Sequence, residues 1–178
     1  VMQAFDKGEL TLETTVSDLL PDWKNSNKAN LTIKEMLSHY SRLWPWIPFY
    51  KSTLNRKGHL KKSFYKNNSS KEYSLPVAKE LFLKSNFEEY IYQQIKESKL
   101  IDSLEYKYSD LPYYIFKKYF ENKTNNNFDQ LVKNEVIDPL GLNTIIYNPL
   151  QKFNINQIVP TEIDTYFRNR ILEGYVHD

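Results

Sequence analysis

Residues 106–111 read Tyr-Lys-Tyr-Ser-Asp-Leu, and residues 138–144 read Asp-Pro-Leu-Gly-Leu-Asn-Thr. The first stretch joins a phenol, a hydroxyl and a carboxylate in consecutive positions, just before a run of aromatic and aliphatic residues. That run predicts a helix over 111–121, because Pro112 falls in the first turn, where proline is tolerated. The Pro-Leu-Gly of the second stretch ends another predicted helix, over 128–136. Polar side chains therefore gather at the start of one helix, and a tight turn closes the next.

The composition predicts a mainly α fold with at most short strands. Only four glycines occur among 178 residues, beside 14 tyrosines and 10 phenylalanines. Tight β-turns depend on glycine, so such a chain is more typical of helices joined by polar loops than of a β-sandwich. The length suits one domain or part of one. We expect a single partial domain over 1–178, with a mobile surface loop over 51–71, where cations dominate and apolar residues are few.

Local signals place further helices. Residues 1–7 resemble the end of an amphipathic helix, with Gly8 where a left-handed C-terminal cap is wanted. Thr32 and Glu35 form a capping-box pattern that predicts a helix of about two turns. Helical spacing of apolar residues predicts two short helices over 75–81 and 87–95.

Charge and residue content exclude several classes of function. The net charge of +2 gives no reason to expect nucleic acid or another polyanion as a partner. The absence of cysteine excludes disulfides and thiolate zinc sites, and His59 and His177 have no second ligand at metal spacing. No apolar run approaches the roughly 20 residues of a membrane span. Lack of cysteine fits either side of a bacterial inner membrane.

Five segments, in chain order, resemble the serine β-lactamase-related, penicillin-binding-protein-like hydrolases. The segments are 1–12, 31–43, 108–110, 139–144 and 160–178. The second resembles an Ile-Thr-x-x-x-Leu-Leu-x-His-x-Ser-Gly-Leu signature, and the third a Tyr-Ser-Asn or Tyr-Ser-Asp triplet. The last resembles the Pro-Thr-Glu, Arg and Gly-x-Val-His-Asp stretch of a subgroup whose members are in some cases fused to a family 3 glycoside hydrolase domain. No segment is specific alone, but their order is hard to reach by chance.

The resemblance implies the helical lobe of the β-lactamase/transpeptidase-like fold and a serine hydrolase of the esterase, amidase or peptidoglycan-peptidase kind. In that family the serine of a Ser-x-x-Lys motif attacks a carbonyl and a tyrosine transfers protons. The resemblance makes Tyr108 and Asp110 the candidate catalytic residues. Trp46, Ser109 and Glu162 are the candidate substrate contacts. It implies no metal or other cofactor, a small-molecule or peptidoglycan-like substrate, and a periplasmic or other extracytoplasmic location.

The match also has departures. A formal Ser-x-x-Lys occurs at Ser63-Phe64-Tyr65-Lys66, but it follows the His-x-Ser segment and lies where no helix is predicted to hold both side chains on one face. We interpret it as a decoy. Neither the expected nucleophile motif nor the downstream Lys-Thr-Gly or His-x-Gly motif is present, which predicts a central fragment that is inactive alone. Apolar faces left uncovered in such a fragment are expected to drive self-association.

Alternative interpretations stay open at several positions. Arg42 and Pro112 stand where relatives commonly carry glycine, so the chain is alternatively a degenerate, non-catalytic binding or cell-wall interaction module. Without the surrounding pattern Tyr108 would more often be an ordinary core or surface tyrosine, and the pattern is what favours a role in lining the site. His39 is expected to be structural. The aromatic segment 44–50 forms either core cover, which we favour, or one wall of a cleft. Glu162 and Arg168 form an ion pair or shape the cleft rim.

Overall fold

The computed structural model describes residues 1–176, which form two compact units. The first contains residues 1–48 and 89–131, and the second contains 49–88 and the chain from 132 onward. Helices dominate and the strands are short, so the predicted fold class is confirmed. The expectation of a single partial domain stays a prediction.

Six α-helices occur among the described residues: α1 (Met2–Asp6), α2 (Val16–Leu19), α3 (Ile33–Leu37), α4 (Phe87–Glu97), α5 (Leu111–Thr124) and α6 (Phe128–Val132). A π-helical turn, Lys133–Ile137, continues α6. Short 3-10 turns cover Pro21–Trp23, Phe49–Thr53, Pro149–Gln151 and Ile155–Gln157. The strands are β1 (Tyr65–Lys66), β2 (Leu75–Ala78), β3 (Leu81–Leu83), β4 (Glu162–Asp164) and β5 (Arg170–Leu172). Among residues 1–176, no helix has the length and apolar character needed to cross a bilayer.

Capping boxes start two helices of the first unit. The Thr32 hydroxyl accepts from the Glu35 N–H at 3.2 Å, while the Glu35 carboxylate accepts from the Thr32 N–H at 2.8 Å, as the sequence predicts. Thr15 forms the equivalent box with Asp18 at the start of α2. Each box satisfies N–H groups that the first helical turn leaves without partners. Thr15 and Thr32 also form an antiparallel bridge, which places the two helix starts side by side.

The core of the first unit is built mainly from the inner faces of α2, α3, α4 and α5. Its most deeply buried aliphatic residues are Val16, Leu20, Ile33, Met36, Leu43, Ile95, Leu111 and Ile115. Burying one such side chain stabilises the fold by roughly 1.5–3 kcal/mol. Pro112 lies in the first turn of α5, as predicted, and Gly8 takes the left-handed conformation expected of a helix C-terminus, with φ of 71°. The ends of α1 and α5 are therefore set by local sequence.

A buried lysine lies in the same unit. Lys28 is fully buried, and its Nζ donates to Asn27 Oδ1 at 2.8 Å and to the carbonyls of Lys96 and Ser98. All three partners are neutral oxygens. Burial therefore lowers the pKa of Lys28 from 10.5 to about 8, since the ammonium ion loses hydration without gaining a counter-charge.

Lys28 makes the stability of the first unit depend on alkaline pH. Between pH 8 and 10.5 the unfolded chain keeps a proton on Lys28 that the folded chain has released, so stability rises with pH. The gain is expected to reach about 2 kcal/mol after allowance for solvent screening. Urea unfolding can be followed by the fluorescence of Trp23, Trp44 and Trp46, which are the three tryptophans of the chain. Lys28→Met should remove this part of the pH dependence, and an unchanged slope in that variant would contradict the assignment.

The second unit contains a three-stranded antiparallel sheet in the order β1-β3-β2. Leu83 of β3 pairs with Tyr65 on one side and with Leu75 on the other. The helix predicted over 75–81 is therefore wrong. Pro76 lies within β2 beside a register shift, and Glu80 turns the chain with φ of 53°. The proline removes one backbone donor and favours extended geometry before it, which outweighs the helical spacing of two apolar residues.

The segment predicted as a mobile loop, 51–71, contains anchored positions. Leu54 bridges Leu60, and β1 joins the sheet. The buried hydroxyls of Thr53 and Tyr65 share a hydrogen bond of 2.8 Å. The loop's mobility stays a prediction, and the structure shows which of its residues pack.

The hairpin of β4 and β5 encloses a buried ion pair. Asp164 and Arg168 approach to 2.8 Å, and each side chain is only 5% exposed. Asp164 also accepts the backbone N–H groups of residues 166, 167 and 168, while Arg168 donates to the carbonyls of Val77 and Val176. Arg168 was predicted to pair with Glu162 or to shape a rim. The structure pairs it with Asp164, a residue which the sequence reasoning did not single out.

Candidate functional site

The loop that carries Tyr108 is fastened to residues 39–45 by backbone hydrogen bonds. Lys107 N donates to the His39 carbonyl at 2.9 Å, and Asp110 N donates to the Pro45 carbonyl at 3.0 Å. Between these bonds, Ser109 N donates to His39 Nδ1 at 3.3 Å. These contacts join the predicted His-x-Ser and Tyr-Ser-Asp segments at one place. His39 therefore holds the two segments together, and its assignment as a structural histidine stays a prediction.

Ser109 is the buried centre of this connection. Its hydroxyl donates to the Trp44 carbonyl at 2.6 Å and accepts the Leu111 N–H at 3.2 Å. The side chain is fully buried, and both of these bonds are to backbone atoms of the first unit. Ser109 thus fixes the start of α5 against the backbone of Trp44. Because Tyr108 directly precedes Ser109, these bonds also fix the backbone that carries the Tyr108 ring.

Tyr108 itself points to solvent. Its side chain is 54% exposed, although its ring packs on the His39 ring with centroids 4.7 Å apart. The interaction of the phenol with the Asp110 carboxylate, together with the negative charge of that carboxylate, raises the pKa of Tyr108 above its ordinary value. The Tyr108 hydroxyl is therefore accessible to solvent and lies under the influence of the Asp110 charge.

Replacing Asp110 with asparagine is expected to lower the pKa of Tyr108. The charge of the exposed Asp110 carboxylate opposes phenolate formation at Tyr108, and asparagine removes that charge. Titration of ¹³C-labelled tyrosines by NMR, with Tyr108→Phe to assign the resonance, measures the change. A phenol pKa that rises or stays constant would rule out Asp110 as the controlling group.

Arg42 occupies a turn that favours glycine. Its φ is 60°, in the left-handed region, so the position keeps the backbone shape for which glycine is the usual residue. The arginine Nε donates to the Ile101 carbonyl at 2.6 Å, and the Ile101 N–H donates to the Arg42 carbonyl at 2.8 Å. The large cation is thus accommodated in the turn and bonds to the segment before the Tyr108 loop.

The left-handed backbone of Arg42 predicts a difference in stability between two substitutions at this position. Arg42→Ala and Arg42→Gly both remove the bond to Ile101, but only alanine keeps a Cβ in the left-handed region. We expect the glycine variant to be more stable than the alanine variant by about 1 kcal/mol. Urea unfolding monitored by tryptophan fluorescence measures the difference. Equal stabilities, or a more stable alanine variant, would contradict the left-handed assignment.

Two predicted substrate contacts remain, Trp46 and Glu162. Trp46 is 58% exposed and Trp44 is 48% exposed, so the favoured core interpretation of the aromatic segment is wrong for both. These rings are left at the surface because the prolines on either side of Trp46 keep the segment from folding into a helix that would bury one face. Glu162 belongs to the second unit, where it is exposed at the start of β4.

Ser63 and Lys66 do not form a helical nucleophile pair. Ser63 lies in an exposed turn and Lys66 in β1, so no helix face carries both side chains. The Ser63 carbonyl accepts the Tyr73 hydroxyl at 3.2 Å, and Lys66 lies over the Tyr73 ring. Within residues 1–176, no cluster of three histidine or carboxylate side chains has a metal-binding arrangement. His177 lies outside the described residues.

Comparison with known protein families assigns the chain to one of them. The Beta-lactamase family model matches residues 1–156. No curated protein shows significant similarity to the chain. Among the solved structures that resemble the chain is a candidate beta-lactamase from Bacteroides dorei DSM 17855, with 16% identity and a TM-score of 0.49. Another is EstCE1, a hydrolase with promiscuous acyltransferase activity, with 19% identity and a TM-score of 0.47. Each alignment covers 79% of this chain and 34% of the other, so the chain spans about a third of the length of these proteins. The extent of the family match shows that this chain belongs to the Beta-lactamase family.

Proposed function

We propose that the chain is part of a serine hydrolase of the esterase, amidase or peptidoglycan-peptidase kind, to which it supplies Tyr108 as the proton-transfer group. The Ser-x-x-Lys nucleophile and the Lys/His-x-Gly motif belong, in this proposal, to other parts of the whole protein. One observation carries it: an accessible phenol stands on a loop that buried Ser109 fixes in place. Rigid placement of a proton-transfer group is what such chemistry requires.

The chemistry divides between two segments. A serine hydroxyl would attack the substrate carbonyl, its proton would pass toward the lysine and Tyr108, and Tyr108 would return a proton to the leaving group. In this chain, Asp110 raises the pKa of the Tyr108 phenol and so opposes its ionisation. A lysine ammonium placed beside the ring would favour the phenolate instead. The nucleophile's own lysine is therefore required before Tyr108 can act as a base, and this chain alone is proposed to be inactive.

Exposure to solvent decides which of the candidate substrate contacts we keep. Trp46 offers an exposed indole face for a small-molecule or peptidoglycan-like substrate, and exposed Glu162 offers a carboxylate on the second unit. Ser109 is buried with its hydroxyl bonded on both sides, so we assign it the positioning of Tyr108 in place of direct substrate contact. An extracytoplasmic location of the whole protein is proposed with this substrate class.

Covalent labelling tests the proposal. The whole protein should react with a fluorescent serine-directed phosphonate or with a β-lactam probe, and peptide mass spectrometry should place the label outside residues 1–178. The chain by itself should remain unlabelled, Ser63 included. Labelling of Ser63 in the isolated chain would overturn the division of the site, and an unlabelled whole protein would overturn the hydrolase.

The unlabelled outcome would favour the alternative, a non-catalytic binding or cell-wall interaction module. That alternative came from Arg42 and Pro112, which replace common glycines. Arg42 keeps the left-handed turn, and Pro112 fits the first turn of α5. Neither residue distorts the Tyr108 loop, so the enzyme remains the better-supported proposal.

A further inference from the structure

A cavity in the first unit lies beside the exposed tryptophans. Its volume is about 370 Å³, and it is lined by Trp44, Trp46, Ile47, Pro48, Gln94, Glu97 and Ser98. One wall is the aromatic segment and the other is the carboxyl end of α4. The size falls within the range of small-molecule sites, which is roughly 300–1,000 Å³.

The two walls offer complementary chemistry. Trp44 and Trp46 are about half exposed, although burial of such large indole surfaces would normally be favourable. The opposite wall carries the exposed Glu97 carboxylate, whose Oε1 also accepts from Gln93. No lysine, arginine or histidine is among the lining residues. The lining therefore combines aromatic faces with a negative charge.

Lysines near the carboxyl end of α4 offset the partial negative charge of that helix end. Helix carbonyl ends carry a partial negative charge that favours nearby cations. Lys28 donates to the carbonyls of Lys96 and Ser98 at this helix end, Lys96 contacts the Asp22 carboxylate at 3.7 Å, and Lys99 is exposed two residues after Glu97. None of these lysines is among the lining residues, so Glu97 supplies the negative charge that a cation from outside the chain would meet in the cavity.

We propose that this cavity binds a weakly hydrated organic cation, such as a quaternary ammonium group, between the indole faces of Trp44 and Trp46 and the carboxylate of Glu97. Such cations are attracted to the faces of tryptophan rings and give up little hydration when they leave water. The neutral side chains of Gln94 and Ser98 provide polar contacts at the edge. The cavity shares Trp46 with the proposed substrate contacts, but choline binding can be measured without any hydrolase activity.

Choline and its neutral isostere 3,3-dimethyl-1-butanol test the site, with tryptophan fluorescence of the intact chain as the readout. Choline should give a saturable change, and the alcohol should bind at least about tenfold more weakly, because both share shape but only choline carries charge. Failure of choline to saturate below 100 mM, a concentration set by the roughly millimolar affinity expected of so small a ligand, would overturn the proposal. Equal binding of the alcohol would also overturn it.

Variants of one residue in each wall test how much that wall contributes to choline binding. Trp46→Ala should abolish the choline response, and Glu97→Gln should weaken binding about fivefold or more, as expected for loss of a nearby charge. Glu13→Gln removes an exposed charge elsewhere in the first unit and should leave binding unchanged. Trp46 and Glu97 are both exposed, so circular dichroism should confirm that the variants fold. Binding that is unaffected by Glu97→Gln, or equally weakened by Glu13→Gln, would contradict the assigned site.

Discussion

Replacing Asp164 with asparagine is expected to destabilise the second unit by about 3–5 kcal/mol, because it removes one partner of a buried ion pair. The carboxylate accepts four hydrogen bonds, three from backbone N–H groups and one from Arg168 Nε. Asparagine retains one acceptor oxygen but presents an amide donor where an acceptor is needed. Arg168 also donates to the carbonyl of Val77 in β2, and this bond joins the turn after β4 to the three-stranded sheet.

Hydrogen exchange of the β4 and β5 amides measures this effect within the second unit, where tryptophan fluorescence gives no signal because all three tryptophans lie in the first. Exchange should accelerate at least about a hundredfold in the variant, since each 1.4 kcal/mol corresponds to roughly a factor of ten. Glu162→Gln, a change of an exposed carboxylate on the same strand, should alter stability by no more than about 0.5 kcal/mol. Similar acceleration in both variants would show that the buried pair is not the source.

The pair also predicts an acid dependence. Burial alone would raise the pKa of Asp164, but the hydrogen bonds from Arg168 and from the N–H groups of residues 166–168 outweigh burial and lower it. A depressed pKa gives stability that is present above the unfolded value of 3.8 and is lost as the pH falls through the folded value. The asparagine variant should lack this acid transition, so exchange rates of variant and parent should converge at low pH.

Local sequence signals predicted the starts and ends of several helices. The capping box of Thr32 and Glu35, the left-handed Gly8 and the first-turn Pro112 each act within a few residues, and each is confirmed. Such features are readable because their hydrogen bonds or backbone angles involve near neighbours alone. The end of the predicted helix over 128–136 was less accurate, since α6 changes to a π-helical turn at Lys133.

Long-range contacts explain what the sequence did not predict. The Tyr108 loop is fixed through His39, which lies 70 residues before Ser109. No local sequence pattern predicts that two residues so far apart in the chain form a hydrogen bond. The partner of Arg168 was misassigned because Glu162 and Asp164 are both acidic residues on β4, and only the turn geometry brings Asp164 to the guanidinium. Alternation across a pleat would place Glu162 and Asp164 on one face, so the choice between them depends on packing.

Substitution of Tyr108 by phenylalanine is expected to slow acylation of the whole protein by roughly 10²- to 10⁴-fold, the usual effect of removing a general acid–base group. Phenylalanine keeps the ring contact with His39 and removes only the hydroxyl. Because the side chain is more than half exposed, the change should leave folding intact. A decrease in rate therefore reports chemistry and not loss of structure.

The rate of phosphonate labelling, compared between the whole protein and its Tyr108→Phe variant, tests the central claim most directly. Tyr147→Phe provides a matched control, since Tyr147 is 47% exposed and lies in the second unit. We expect normal labelling in the control and a rate at least about a hundredfold lower in the Tyr108 variant. Equal rates in all three proteins would contradict the assignment of proton transfer to Tyr108.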